Sequence, residues 1–381
     1  MALPKENVRY PELAKIQILT LSPGDDLSEF EGMLRDDTEH IEYVHRPAVR
    51  YPLSTHLGFD EFDPDDPQWG LAKCGFRDVW DTLETSPTLK PIGIIDKGGN
   101  KGHKELAAKF LKTVPRGGDG QSDANHATSV AGVIAAARGD EPIERLVGCC
   151  SADLHLYNVW RHGKFNPCGY YRALRAVADD QLPVVNLSIG WICEDKTEQE
   201  HIRVCRKRGV VVVAAMGNRG KKSPPFYPAA YDDVVAVGGV NASDQPVASS
   251  SWGSHMWISA PGERILTVNG ESGYHKQDGT SFAAPFVTAA VWLARRYRPC
   301  LNVDQVREVL KQSVAPDTVP RNKHKCSSAV GHGRLDMRRM VEVLNTIQCP
   351  RGEGPEPRIC ASCPLGSTGN PTGGSPHHPG V

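Results

Sequence analysis

The sequence predicts an α/β fold in which a doubly wound, mostly parallel sheet carries helices on both faces. Five short runs rich in β-branched residues support this prediction, and longer helical segments separate them along the 381-residue chain. Runs that are apolar almost throughout are typical of strands covered on both faces. The runs are residues 91–95, 154–159, 184–187, 210–215 and 234–237. Buried helix segments are the alternative, which the shortness of each run and its flanking Gly, Pro or Asn disfavour.

Composition divides the chain into four parts. Residues 1–55 are predicted to form a small α+β unit, and residues 56–66 an acidic, proline-containing linker. Residues 67–349 hold the alternating strands and helices of the main domain. Residues 350–381 are rich in Gly, Pro and Ser, so they bury too little apolar surface to order themselves and are expected to be a flexible tail.

The N-terminal unit has a strand–helix–strand pattern. Residues 14–21 alternate like a half-buried strand, and Asp25 or Asp26 precedes a segment, residues 27–34, whose apolar positions follow helical spacing. Residues 41–44 are predicted to form a returning strand.

Charge and hydropathy exclude two classes of partner. Lys and Arg number 44 and Asp and Glu 45, so the net charge of −1 lacks the basic surplus that wrapping nucleic acid requires. No apolar run approaches the roughly 18 residues that span a bilayer, which argues against a membrane partner. The N-terminus shows no secretory signal, so we expect a cytoplasmic protein whose 11 cysteines are free thiols.

Three polar residues follow or begin predicted elements. Asp96 ends the first strand, His126 begins an apolar helix rich in small residues, and Ser281 begins another. Taken alone, Asp96 is most simply a turn residue, His126 a surface histidine and Ser281 a helix N-cap. Together, and in this chain order, they supply the carboxylate, base and nucleophile of a catalytic triad, with Ser281 where free backbone N–H groups favour negative charge.

The segments around these residues resemble those of subtilisin-type serine peptidases over roughly residues 67–348. IGIIDKG resembles the family's aspartate motif, HATSVAG its histidine motif and GTSFAAP its serine motif. VVNLSIG resembles the substrate-binding strand and VVAAMGN the oxyanion-hole segment. The resemblance implies a subtilisin-like fold and a serine endopeptidase that needs no cofactor and acts on polypeptides. The alternative is a catalytically weak scaffold of this kind, used for protein binding or regulation.

The resemblance also implies the role of each residue in the site. Asp96 would orient His126, which would activate Ser281, and Asn218 would bind the oxyanion together with the backbone N–H of Ser281. An extended substrate would add as a strand to an edge, and small residues would leave room in a specificity pocket. The edge residues are Ser188, Ile189 and Gly190, and the pocket residues are Ala215 and Gly217.

The sequence departs from the family pattern beside the triad. Lys97 stands where a small hydroxyl residue is usual, Ala127 replaces a glycine, and Ser129 replaces a second histidine. We therefore expect altered or lowered activity. The calcium-binding insertion of some members has no clear counterpart, so no metal is predicted.

Zinc binding by the C-terminal tail is a separate hypothesis. Cys360 and Cys363 have the spacing of half a zinc site, with Cys349, His377 and His378 nearby in sequence, but no second CxxC motif pairs with them. A tail with incidental thiols is the favoured interpretation.

The N-terminal unit resembles the second half of the propeptide that inhibits these enzymes. We expect it to dock as an intramolecular inhibitor, with the chain near residues 50–53 passing through the active-site cleft. Self-cleavage would then fall between Tyr51 and Asp66.

Two interpretations of the specificity pocket stay open. Arg219, Lys221 and Lys222 could form a cationic rim that attracts acidic groups. Alternatively these charges point away, and an apolar wall near Ile189 and Met216 favours Leu, Met or Phe.

Overall fold

The computed structural model describes most of the central domain and parts of the N-terminal unit. The described residues are 13, 15–19, 26–36, 41–53, 68–84, 89–115, 125–137, 148–270, 273–318 and 327–349. The predictions for the linker and for the tail after Cys349 lie outside these residues.

A seven-stranded sheet forms the centre of the protein. Its strands lie in the order β11-β10-β9-β7-β2-β4-β3, and every neighbouring pair is parallel. These strands are β2 (Ile92–Asp96), β3 (Phe110–Pro115), β4 (Leu154–Asn158), β7 (Val184–Leu187), β9 (Val211–Ala215), β10 (Val234–Val240) and β11 (Met256–Pro261). The α/β prediction is confirmed, and the five predicted runs correspond to β2, β4, β7, β9 and β10. The sequence pattern missed the two edge strands, β3 and β11.

Short strands and nine helices complete the described part of the chain. The short strands are β1 (Tyr51–Pro52), β5 (Trp160–Arg161), β6 (Lys164–Phe165), β8 (Ile189–Gly190), β12 (Ile265–Val268) and β13 (Tyr274–Gln277). The helices are α1 (Leu27–Asp36), α2 (Trp69–Cys74), α3 (Trp80–Leu83), α4 (Asn125–Ala135), α5 (Pro167–Asp179), α6 (Lys196–Lys207), α7 (Thr280–Tyr297), α8 (Val303–Gln312) and α9 (Met337–Asn345). In the described residues, no helix is long and apolar enough to cross a bilayer.

Alternate residues of the central strands enter two separate cores. In β9, Val211 and Val213 join the core beneath α4 and α7, whereas Val212 and Ala214 join the core beneath α5 and α6. Successive side chains of a strand point to opposite faces, so a strand buried on both faces must be apolar throughout. This requirement explains why the uninterrupted apolar runs predicted a parallel sheet.

The N-terminal unit is less regular than its sequence pattern predicts. Helix α1 begins where expected, and the Asp26 carboxylate accepts a hydrogen bond from the Ser28 N–H at 2.8 Å. Residues 16–19 and 41–44 form no strand, so both strand predictions are wrong for these described residues. Residues 41–50 instead follow the surface of the main domain in irregular backbone, and among the described residues of this unit only β1 pairs with another strand.

A disulfide joins Cys300, in the loop between α7 and α8, to Cys349, with Cα atoms 5.6 Å apart. The prediction of free thiols is therefore wrong for this pair, because only the fold shows that cysteines 49 positions apart meet. Cytoplasmic localisation stays a prediction. The six other described cysteines carry free thiols.

Candidate active site

The carboxyl edge of the sheet brings an aspartate and a histidine together. Asp96 is the last residue of β2. The strands that follow β2 in the chain are first added on one side of it, as β3 and β4, and then on the other side, beginning with β7. Open α/β sheets place their ligands at such a switch point. His126 lies in the first turn of α4, and its Nδ1 is 2.7 Å from Asp96 Oδ1. Because Asp96 is fully buried, this contact fixes the imidazole orientation in a site that excludes water.

Ser281 lies in the first turn of α7, close to Ser188, which connects β7 to β8. Its Oγ donates a hydrogen bond to the carbonyl oxygen of Ser188 at 3.1 Å. His126 Nε2 is buried and makes no hydrogen bond to the residues that the structure describes. Hydrogen bonds between catalytic groups often form only when substrate is bound, so the lack of a partner at Nε2 is compatible with His126 acting as a base.

Pro285 explains how the start of α7 is held. A helical proline has no N–H to donate to the carbonyl four residues earlier, which here belongs to Ser281. The Ser188 hydroxyl supplies the missing hydrogen bond, donating to the Ser281 carbonyl at 2.8 Å. Ser188 in turn accepts from the Asn186 side-chain amide at 2.9 Å, and Asn186 accepts from the Thr288 hydroxyl. This buried chain of hydrogen bonds fixes the backbone of Ser281 against β7.

Asn218 and the N-terminus of α7 hold a carbonyl oxygen between them. The Asn218 Nδ2 donates to the Leu53 carbonyl at 2.7 Å, and the Ser281 backbone N–H donates to the same oxygen at 3.2 Å. The first N–H groups of a helix have no partner within the helix, so that of Ser281 is free to bind an acceptor here. Two donors converging on one oxygen form the geometry of an oxyanion hole.

Thr280 orients the Asn218 side chain, a role that the sequence analysis missed. The Asn218 Oδ1 accepts hydrogen bonds from the Thr280 N–H at 3.0 Å and from its hydroxyl at 2.9 Å. The same hydroxyl accepts from the Gly217 N–H at 3.1 Å. These bonds turn the amide so that its N–H₂ faces Leu53. The available signal was a second hydroxyl residue beside Ser281 in the motif GTSFAAP.

The segment that ends at Leu53 lies in the cleft as an added strand. Tyr51 pairs with Gly190 and Pro52 with Ile189 in antiparallel register, and the Leu53 N–H donates to the Ser188 carbonyl at 3.2 Å. Gly190 allows this approach, because a Cβ there would lie 3.3 Å from Leu53 Cδ1 and 2.8 Å from the carbonyl oxygen of residue 227.

The Leu53 side chain is 6% exposed and belongs to the same apolar core as Ala215 and Phe226. Gly217, at φ +99°, lies where a Cβ would be 2.6 Å from the Phe226 ring, so this position requires glycine. The structure thus brings the predicted edge residues Ser188, Ile189 and Gly190 against the segment that ends at Leu53.

The cations near Asn218 stack on aromatic rings. The Arg219 guanidinium lies 4.4 Å from the centroid of the Trp191 ring, and the Lys221 ammonium 5.0 Å from that of Trp252. Trp191 also contacts the Tyr51 ring, with centroids 4.7 Å apart. Arg219 and Tyr51, which lies two residues before Leu53, therefore contact the same tryptophan ring.

The sheet, the Asp–His contact and the serine at a helix N-terminus together define a hydrolase of the serine peptidase class. Comparison with known proteins places it more narrowly: a family model described as the subtilase family matches residues 91–333, and the chain belongs to that family. It is a subtilisin-like serine protease, and its substrates are polypeptides.

Three relatives illustrate the similarity. The chain is 30% identical over 332 residues to a thermophilic serine proteinase of Bacillus sp. (strain AK1), covering 81% of this chain and 80% of the relative. It is 28% identical to thermitase of Thermoactinomyces vulgaris, covering 64% of this chain and 89% of the relative. It is 31% identical to subtilisin BL of Lederbergia lenta, covering 64% and 90%.

The described residues contain no cluster of three His, Cys, Asp or Glu side chains suited to hold a metal ion. Cys349, one of the residues in the zinc hypothesis, is bound in the disulfide, and the other four lie outside the described residues.

Proposed function

We propose that Ser281, His126 and Asp96 form the catalytic triad of this protease and that Asn218 and the Ser281 N–H form its oxyanion hole. The observation that carries the proposal is the Leu53 carbonyl oxygen, which accepts hydrogen bonds from both the Asn218 amide and the Ser281 backbone N–H. A binding scaffold would have no need to direct an amide and a helix N–H at a backbone carbonyl, so the scaffold alternative is not favoured.

The chemistry follows from the contacts. Rotation of the Ser281 side chain away from the Ser188 carbonyl would bring its hydroxyl proton to His126 Nε2 as the oxygen attacks the peptide carbon. Asp96 would hold the imidazole in the tautomer that leaves Nε2 free and would stabilise the imidazolium. The donors from Asn218 and Ser281 would bind the oxygen as it gains charge, and the imidazolium would then protonate the leaving amine.

The N-terminal unit is proposed as the first substrate and as an intramolecular inhibitor. Leu53 occupies the position of the residue that supplies the scissile carbonyl, so self-cleavage would break the bond between Leu53 and Ser54. This bond lies within the predicted interval from Tyr51 to Asp66. The buried leucine also supports an apolar preference over the cationic rim, although Ile189 and Met216, the residues of the predicted wall, belong to the other core.

A fluorophosphonate probe tests the nucleophile, and mass spectrometry tests the cleavage site. The native protein is expected to form a covalent adduct on Ser281 and to yield a fragment that begins at Ser54. The Ser281→Ala protein is expected to do neither. Ala variants of Asp96 and His126 should each lose several orders of magnitude in kcat, with losses that do not add because the triad acts as a unit. Equal labelling of the native and Ser281→Ala proteins would contradict the assignment.

A further inference from the structure

A buried carboxylate lies in the cleft three residues upstream of Leu53. Arg50 is 1% exposed and Glu198 is fully buried. The Arg50 Nε donates to Glu198 Oε1 at 2.9 Å and its Nη2 to Oε2 at 2.5 Å, which forms a bidentate pair. The Arg50 Nη1 donates to the Cys193 carbonyl at 3.1 Å. Each nitrogen of the guanidinium therefore has an acceptor supplied by the main domain.

Glu198 is held in place independently of Arg50. It lies in the first turn of α6, where Asp195 caps the helix by accepting from the Glu198 N–H at 2.9 Å. The Tyr170 hydroxyl donates to Glu198 Oε1 at 2.8 Å. A helix N-terminus favours a negative charge, so the carboxylate is preorganised before any cation arrives.

The electrostatics match this geometry. Burial alone would lower the pKa of the Arg50 guanidinium, but the charge of Glu198 and the hydrogen bonds outweigh burial and raise that pKa. Burial and the neighbouring Glu198 carboxylate raise the pKa of Tyr170 well above its usual value, so Tyr170 remains a donor. The site is thus acidic, water-excluded and shaped for a planar cation.

We infer that Glu198 is a specificity-determining residue, which selects substrates with arginine three residues before the residue that supplies the scissile carbonyl. This inference rests on the proposed function. Arg50 belongs to the same extended segment as Leu53, so any polypeptide that binds in the same register brings its corresponding side chain to Glu198. A substrate without a cation there leaves the carboxylate buried and unpaired, which is costly.

The preference should discriminate among cations and neutral isosteres. Lysine offers one ammonium in place of the planar fork, so it cannot make the bidentate pair. Citrulline has nearly the shape of arginine but no charge, and glutamate would place two carboxylates together. Because the pair is buried, salt should weaken the preference only slightly.

The test uses peptides that compete for the full-length protein. The reference peptide carries the chain's own residues 50–57, and its variants carry citrulline, Lys, Met or Glu in place of the arginine. Two peptides are mixed in one tube and the products are counted by mass spectrometry. The product ratio gives the ratio of kcat/KM values whatever fraction of the sites the N-terminal unit occupies.

The arginine peptide is expected to exceed the citrulline peptide by about 10²–10³-fold in kcat/KM, the range typical of a truncated buried charge pair. Glu198→Gln should reduce this ratio to within a few-fold of one. The matched control is Glu200→Gln on the same helix, where the carboxylate pairs with Arg203 near the surface, and it should leave the ratio unchanged.

Two outcomes would overturn the inference: equal cleavage of the arginine and citrulline peptides by the native protein, or an unchanged ratio in a folded Glu198→Gln variant. The native peptide series decides even where that variant fails to fold. Failure of the proposed function is distinguishable, because then no peptide is cleaved and the probe does not label Ser281. Equal cleavage with efficient labelling would mean that the pair only anchors the N-terminal unit.

Discussion

The Thr280 hydroxyl offers a sharp test of how the oxyanion site is built. Thr280→Val keeps the shape of the side chain but removes the donor to Asn218 Oδ1 and the acceptor of the Gly217 N–H. Thr280 is fully buried, so the Gly217 N–H would lose its partner where water cannot replace it. An unsatisfied buried polar group costs about 1–3 kcal/mol, so the free energy of unfolding should fall by that amount.

The loss in catalysis should be smaller than that of removing Asn218 itself. Deleting one oxyanion donor costs about 10²–10³ in kcat, a magnitude measured in subtilisin, a relative of this chain. In the Thr280→Val protein the Thr280 position still donates its backbone N–H to Asn218, so kcat should fall by about 10–10² with little change in KM.

Steady-state kinetics and a denaturant titration separate the two effects. Thr280→Ser, which keeps the hydroxyl, should retain kcat within a few-fold and serves as the matched control. A Thr280→Val protein with the expected loss of stability but native kcat would refute the argument that this hydroxyl orients the amide.

Two further predictions concern the pocket and the pH dependence of stability. Leu53→Asp should slow the appearance of the Ser54 terminus in mass spectra by at least about 10–100-fold, because it removes the free energy gained by burying a leucine side chain. Leu53→Met should be cleaved normally. Equal rates for the Asp and Met proteins would argue against an apolar pocket. Burial lowers the pKa of His201 to about 4, so on acidification the unfolded chain binds a proton at this histidine before the folded protein does. The free energy of unfolding should therefore fall by about 3 kcal/mol as the pH drops from 6.5 towards 4. His201→Gln should flatten this fall in urea midpoints measured across that range, and an unchanged slope would contradict it.

The sequence predicted the centre of the sheet better than its edges. Central strands are buried on both faces, so β2, β7 and β9 are apolar except for Asn186 in β7 and Asp96 at the end of β2, and they stand out from the chain. The edge strand Phe110–Pro115 contains Lys112 and Thr113, and it pairs with a neighbour on one side only. Its polar residues broke the pattern from which the other strands were predicted.

The site was predictable only where its residues lie next to strand or helix ends. Asp96, His126, Asn218 and Ser281 each occupy such a place, and motif order linked them. The pair of Arg50 with Glu198 spans 148 positions, and neither residue lies in a motif that suggests the other. Long-range contacts of this kind depend on how the sheet and helices pack, which periodicity does not specify.

Because a segment of the chain itself occupies the cleft, the activity of the cut protein should depend on protein concentration. While residue 53 is joined to the main domain, the occupying strand is a tethered ligand. Its effective concentration is set by the length and stiffness of the connection and does not depend on how much protein is present. Once that connection is cut, the same contacts must hold the strand by intrinsic affinity alone. Occupancy then falls as the solution is diluted below the dissociation constant. A concentrated preparation and a dilute one of identical, fully cut protein would therefore differ in specific activity, and the concentration at which they diverge would measure how tightly the strand binds.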